Sequence, residues 1–88
     1  MNGGIAMDTR TALIGIIVED PEAVEDLNSL LHEYRGYIIG RMGLPMREKG
    51  LNIISIVVDA GADTISTLAG KIGMMKDISV KTIYAKSK

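Results

Sequence analysis

Apolar residues recur along the chain with two different spacings, which separate predicted strands from predicted helices. Residues 10–18, 51–58 and 78–85 are dense in Ile, Val and Leu, and 37–47 is a fourth such segment, interrupted by glycines and a proline. Runs of this kind are typical of strands. Two further stretches place apolar residues three or four positions apart, as one face of an amphipathic helix requires. Their apolar stripes are Ala23, Val24, Leu27, Leu30, Leu31 and Tyr34, and Ile65, Leu68, Ala69 and Ile72.

The residues between these segments carry the signals of helix ends and turns. Asp20 can cap the first helix, Pro21 suits its first position, and Gly73 is a predicted end of the second helix. The sequence Arg-Glu-Lys-Gly at 47–50 predicts a hairpin turn closed by glycine. Because a proline cannot donate a ladder hydrogen bond, Pro45 predicts that the second strand lies at an edge of the sheet.

The predicted order is strand, helix, strand, strand, helix, strand. This order is typical of an α+β, ferredoxin-like βαββαβ sandwich, in which a four-stranded antiparallel sheet carries both helices on one face. Strands one and three are expected at the centre of the sheet. We expect residues 9–88 to form this single domain and residues 1–8, which include two glycines and show no apolar period, to be a flexible leader.

The two predicted central strands are apolar on both faces. Successive side chains of a strand point to opposite faces, yet Gly15 and Ser55 are the only residues of 13–18 and 53–58 that are not aliphatic. The helices cover one face, so the other is left as a contiguous apolar patch, and such patches mark interaction surfaces. We therefore predict self-association through the sheet, as a homodimer or a homotetramer. The alternative is that the leader folds over this face.

Composition excludes several kinds of site. The 88 residues include no Cys and a single His, His32, so one chain cannot form a disulfide, a thiol nucleophile, an iron–sulfur cluster or a multi-His metal site. We expect no cofactor and no metal. A formal net charge of −1 and an acidic first helix argue against direct DNA binding. The longest apolar run, 12–18, is far shorter than the ~20 residues of a membrane span, so we expect no membrane partner and a cytoplasmic location.

The predicted edge strand carries the first candidate ligand site. Strict alternation groups Arg41, Gly43 and Arg47 on the open face, where two guanidiniums beside a bare backbone could hold a carboxylate or a phosphate. The alternative is that the arginines cap the edge of an oligomer interface or only discourage pairing at the edge. His32 is a second candidate, although a cation also suits the end of a helix. The same alternation assigns to the core Ile38, Gly40, Met42, Leu44 and Met46.

Four stretches together resemble one small protein family. They are ALIGIIVED at 12–20, LHEY at 31–34, IIGRMGLP at 38–45 and GKIGM at 70–74. On these residues, nearly the whole chain after its leader resembles the iron-only hydrogenase system regulators. The fold of that family is similar to ACT domains and to the C-terminal domain of nickel-responsive repressors.

The resemblance implies the sensing and oligomerising half of such a repressor only. A nickel-responsive repressor binds DNA through an N-terminal ribbon-helix-helix, which the leader is too short to form, and its metal site needs several His and a Cys. ACT-like domains bind small effectors, often amino acids, between subunits. We therefore expect a non-enzymatic regulatory or ligand-sensing homo-oligomer that binds a small anionic effector or a partner protein. The alternatives are a small enzyme with an intersubunit active site, using His32 as acid or base, and a structural adaptor without a ligand.

Overall fold

A computed structural model describes residues 8–86; of the predicted leader, residues 1–7 lie outside the described part. The elements follow the predicted order βαββαβ, and two short 3-10 helices at Arg35–Tyr37 and Arg47–Lys49 flank the second strand. The strands and helices are β1 (Arg10–Val18), α1 (Ala23–Glu33), β2 (Ile38–Met46), β3 (Leu51–Ala60), α2 (Ala62–Gly73) and β4 (Ile78–Tyr84). Neither described helix has the length and apolar character that crossing a membrane requires.

The strands form one antiparallel sheet in the order β2-β3-β1-β4. This order confirms the ferredoxin-like topology and the central position of β1 and β3. β1 pairs along its whole length with β3, from Arg10 opposite Ala60 to Val18 opposite Asn52. β4 pairs with the other edge of β1, so β2 and β4 are the edge strands, as Pro45 in β2 predicts.

The hydrophobic core lies between the two helices and one face of the sheet. Alternate residues of β1 and β3 are buried there, and the inward positions of both helices pack on them. In α1 these are Leu27 and Leu31, and in α2 Ile65, Leu68 and Ile72, at the spacings from which the helices are predicted. Both helices therefore cover the same face, and the other face carries no helix.

The turn before α1 differs from the predicted helix start. The Asp20 carboxylate accepts a hydrogen bond from the Glu22 amide at 3.0 Å, and the Asp20 carbonyl accepts one from the Ala23 amide at 2.9 Å. Asp20 therefore organises the turn that leads into the helix, as a capping residue does. Pro21 lies in this turn, and the helix itself begins two residues after it. The hairpin between β2 and β3 ends as predicted at Gly50, whose φ is 68°.

Asp77 precedes β4 with a φ of 62°, which is a left-handed conformation. This conformation costs residues other than glycine about 1–3 kcal/mol, and Asp tolerates it better than most. Its carbonyl accepts a hydrogen bond from the Glu19 amide at 2.8 Å, which joins the end of β1 to the start of β4. We expect Asp77→Val to lower the free energy of unfolding by about 1–2 kcal/mol. Asp77→Gly, which also removes the carboxylate, should change it by less than about 1 kcal/mol. Urea unfolding measures both, and equal losses would assign the effect to the carboxylate instead of the backbone.

Candidate functional site

β2 contains a bulge near its start. Ile38 lies opposite Val58, but the next paired residue, Gly40, lies opposite Val57, so Ile39 has no partner in β3. An extra residue of this kind shifts the alternation of side chains by one position. Every residue of β2 after the bulge therefore faces the opposite way from the direction that strict alternation predicts.

The bulge makes the predicted orientation of Arg41 wrong. Arg41 lies opposite Ile56, which is buried under the helices, so its side chain belongs to the helix-covered face and not to the open face. Gly43 shares that face. Met42 and Leu44, which strict alternation assigns to the core, lie on the open face and are 61% and 56% exposed. Strict alternation counts Ile39 as a paired residue, and this reverses the predicted side of every later residue of β2.

Arg41 lines a cavity of about 320 Å³ between the second half of α1 and β2, which we name the α1–β2 pocket. Its Nη2 donates a hydrogen bond to Oδ1 of Asn28 at 2.5 Å. On the helix side, Nη1 of Arg35 donates to the carbonyl of His32 at 2.8 Å. Both acceptors are uncharged, so these bonds orient the two guanidiniums without neutralising them. The walls of the pocket are Asn28, Leu31, His32, Arg35, Ile38 and Arg41.

Two of the four predicted ligand residues meet in this pocket, namely Arg41 and His32. The other two are not among its walls: Arg47 falls in the 3-10 helix after β2, and Gly43 lies further along the strand. The structure therefore brings together only two of the four predicted residues.

Asn28 and Arg35 also line the pocket, although they were not predicted from the sequence. Together with His32 they occupy positions i, i+4 and i+7, which share one side of the α1 segment and the turn that follows it. A signal for this arrangement exists in β2, because a glycine inside a strand, here Gly40, often marks a bulge. A bulge at that point turns Arg41 toward α1.

The uncovered face of the sheet is the second candidate site, and we name it the open face. Pairing places its side chains in three rows across the strands. Gly40, Val57, Leu13 and Ile83 form one mostly aliphatic row, Leu44, Ile53, Ile17 and Ser79 form another, and Met42, Ser55, Gly15 and Lys81 form the row between them. A shallow depression of about 280 Å³ lies over Gly15, because that row has small residues at its centre.

Large apolar side chains of the open face are accessible to solvent. Leu13, Ile17, Met42, Leu44 and Ile83 are between 39% and 64% exposed. This confirms the prediction that the sheet presents an apolar surface on the side away from the helices. Residues 8–86 bring together no group of three or more His, Asp or Glu side chains that could hold a metal ion.

Comparison with known proteins gives one matching family and 27 matching chains among solved structures. The family model "TM1266-like: Iron-only hydrogenase system regulator, putative" matches residues 10–82. The structure of the uncharacterized protein TM1266 from Thermotoga maritima superposes with a TM-score of 0.86 and 38% identity, over 90% of this chain and 100% of that chain. A formyltetrahydrofolate deformylase from Pseudomonas putida KT2440 superposes with a TM-score of 0.61 and 15% identity, over 83% of this chain and 28% of that one, a likeness of fold alone. No curated protein matches the chain.

Proposed function

Since the chain belongs to the TM1266-like family of iron-only hydrogenase system regulators, we propose that it is a non-enzymatic regulatory module. It acts as a homo-oligomer assembled through the open face, and it binds a small anionic effector or a partner protein. The observation that carries this proposal is the open face itself, where five large apolar side chains are at least 39% exposed on a sheet with helices on its other side.

The energy of burial favours a second copy of the chain as the occupant of the open face. Removing about 400 Å² of apolar surface from water is worth roughly 10 kcal/mol at about 25 cal/mol per Å². Association costs roughly 4–15 kcal/mol, and ordering side chains and desolvating polar groups at the interface cost more, so only the surplus appears as affinity. Burial of the open face is the term that drives association.

The shape of the open face is also suited to self-association. Ile17 and Ile53 border the depression over Gly15, so an aliphatic side chain from a second copy can lie in it, and a two-fold arrangement satisfies both copies with the same surface. Lys81 stands at the β4 end of the middle row, in the position that polar residues take at the rim of an interface.

The mass in solution tests this proposal. We expect light scattering at micromolar concentration to give about two or four times the 9.5 kDa of one chain. The physical reason is that the exposed apolar surface is removed from water only when copies associate. A sample that contains only the 9.5 kDa species would reject self-association.

The α1–β2 pocket supports the effector part of the proposal. Its guanidiniums are suited to holding an anion reversibly, which is what a regulator needs from an effector site. Arg41 and His32 both line this pocket, although Arg41 does so from the helix-covered face and not from the predicted open face, while Arg47 and Gly43 lie outside its walls.

A further inference from the structure

We infer that the α1–β2 pocket selects a small organic monoanion, a carboxylate that carries a short branched aliphatic body, and that Arg35 and Asn28 belong to the binding site with Arg41. The inference rests on the proposed function, because this anion would be the effector of the regulatory module. It adds the chemical class of that effector and two residues of its site.

The charge of the pocket favours an anion. Its walls include two guanidiniums, those of Arg35 and Arg41, and no carboxylate from the described residues. A guanidinium has five N–H donors. One bond from each arginine is taken by an oxygen of the protein, and the remaining donors are available for a carboxylate.

The hydrogen bonds of the pocket hold the two guanidiniums in place before a ligand binds. The bond from Arg41 to Asn28 joins β2 to α1, and it reduces the side-chain freedom that a ligand would otherwise have to remove. The carboxyl end of α1 opposes an anion, because its carbonyls carry partial negative charge. Arg35 offsets this effect directly, since it donates to one of those carbonyls, that of His32.

The remaining walls select the body of the ligand. Leu31 is 2% exposed and offers a ligand almost no surface, whereas Ile38 is half-buried, so Ile38 supplies most of the apolar wall that a ligand can contact. A cavity of about 320 Å³ is at the small end of ligand sites. Inorganic phosphate would bind the guanidiniums and leave the apolar wall in contact with water. A branched aliphatic carboxylate would contact both the guanidiniums and the apolar wall.

Titration of the full chain with three probes tests this inference. We expect 4-methylpentanoate to give saturable shifts of the backbone amide signals of Asn28, His32, Arg35 and Ile38 in ¹⁵N-correlated NMR spectra. Its neutral amide, 4-methylpentanamide, should bind at least ten-fold more weakly, and so should inorganic phosphate. Equal binding of the amide would overturn the role of charge, equal binding of phosphate would overturn the role of the apolar wall, and no saturable shift would overturn the site.

Arginine variants assign the binding to the pocket. Arg41→Gln and Arg35→Gln should each weaken 4-methylpentanoate binding at least ten-fold. Arg47→Gln removes the same charge from the turn after β2 and should leave the affinity unchanged. Normal binding by either pocket variant, or an equal loss in Arg47→Gln, would contradict the assignment.

Asn28 is a positioning residue, and two substitutions separate that role from a structural one. Asn28→Asp keeps the shape of the side chain but pairs a carboxylate with Arg41, so we expect at least a ten-fold loss of affinity. Asn28→Ala only frees the guanidinium and should cost less than Asn28→Asp. The reverse order would contradict the role given to Asn28.

Light scattering on the same samples separates this inference from the proposed function. An oligomer that does not bind 4-methylpentanoate would reject the inference and leave self-association standing. A 9.5 kDa monomer that binds it would reject self-association and leave the site standing.

Discussion

Leu13→Lys is expected to convert the oligomer into a folded monomer of 9.5 kDa. Leu13 lies on the central strand β1, in the aliphatic row that it shares with Val57 and Ile83, and its side chain is 42% exposed on the open face. In an assembly through this face, the new ammonium would be buried against the apolar surface of a second copy. A buried charge without a partner costs several kcal/mol, and each copy would contribute one.

The same substitution should change the stability of the single domain little. In a monomer the lysine at position 13 faces water, and the range of strand propensities is only about 1 kcal/mol. Ser66→Lys is the matched control, because it adds the same charge to an exposed position of α2, in the helical layer on the other side of the sheet. Light scattering and circular dichroism of both variants measure mass and fold. Wild-type mass in Leu13→Lys would show that the interface lies elsewhere, and loss of mass in Ser66→Lys would trace the effect to net charge.

The fold could be predicted because local signals and long-range packing agree in most of the chain. β1 has the predicted bounds, Arg10–Val18, since its aliphatic run is closed by the turn residues from Asp20 onward. Every buried position of α1 and α2 belongs to a predicted helical stripe, and the other stripe residues are partly exposed. The order of strands follows from the βαββαβ sequence of elements, because short connections and handedness leave few other arrangements.

Two local features could not be predicted from periodicity. The positive φ of Asp77 occurs where its carbonyl accepts a hydrogen bond from the Glu19 amide, a contact between residues far apart in the sequence. The bulge at Ile39 depends on how β2 registers against β3, and the residues of β2 alone are compatible with unbroken alternation. In both places a tertiary contact decides the local backbone.

The two candidate sites also differ in how far the sequence alone predicts them. The open face could be predicted, because it depends only on strands that are apolar at every position and on helices that cover one side. The α1–β2 pocket could be predicted in part: Arg41 and His32 can be named from the sequence, but their position in one pocket requires the bulge. Asn28 is 13 residues from Arg41 and on helix α1, so only the packing of that helix on the sheet brings it into range.

Ile56→Ala is expected to bring the domain close to unfolding. Ile56 is completely buried on the helix-covered face of β3, opposite Ile14 of β1. An Ile→Ala change in a core costs about 2–5 kcal/mol, because it removes apolar contacts and leaves a cavity. A domain of 88 residues has a total stability of about 4–13 kcal/mol at 0.05–0.15 kcal/mol per residue. The loss is therefore a large fraction of the whole.

Ile17→Ala is the matched control, since it makes the same chemical change on the open face of the neighbouring central strand, where Ile17 is 39% exposed. Self-association would stabilise the folded state by mass action, so both changes are compared by urea unfolding in the Leu13→Lys background. There Ile17→Ala should cost about 1 kcal/mol, because its side chain is only partly removed from water on folding. If Ile56→Ala does not fold, Ile56→Val should still unfold reversibly with a loss of about 0.5–1.5 kcal/mol. Equal losses for the alanine pair would contradict a core on one face of the sheet only, and with it the argument that the other face is free to bind a second copy.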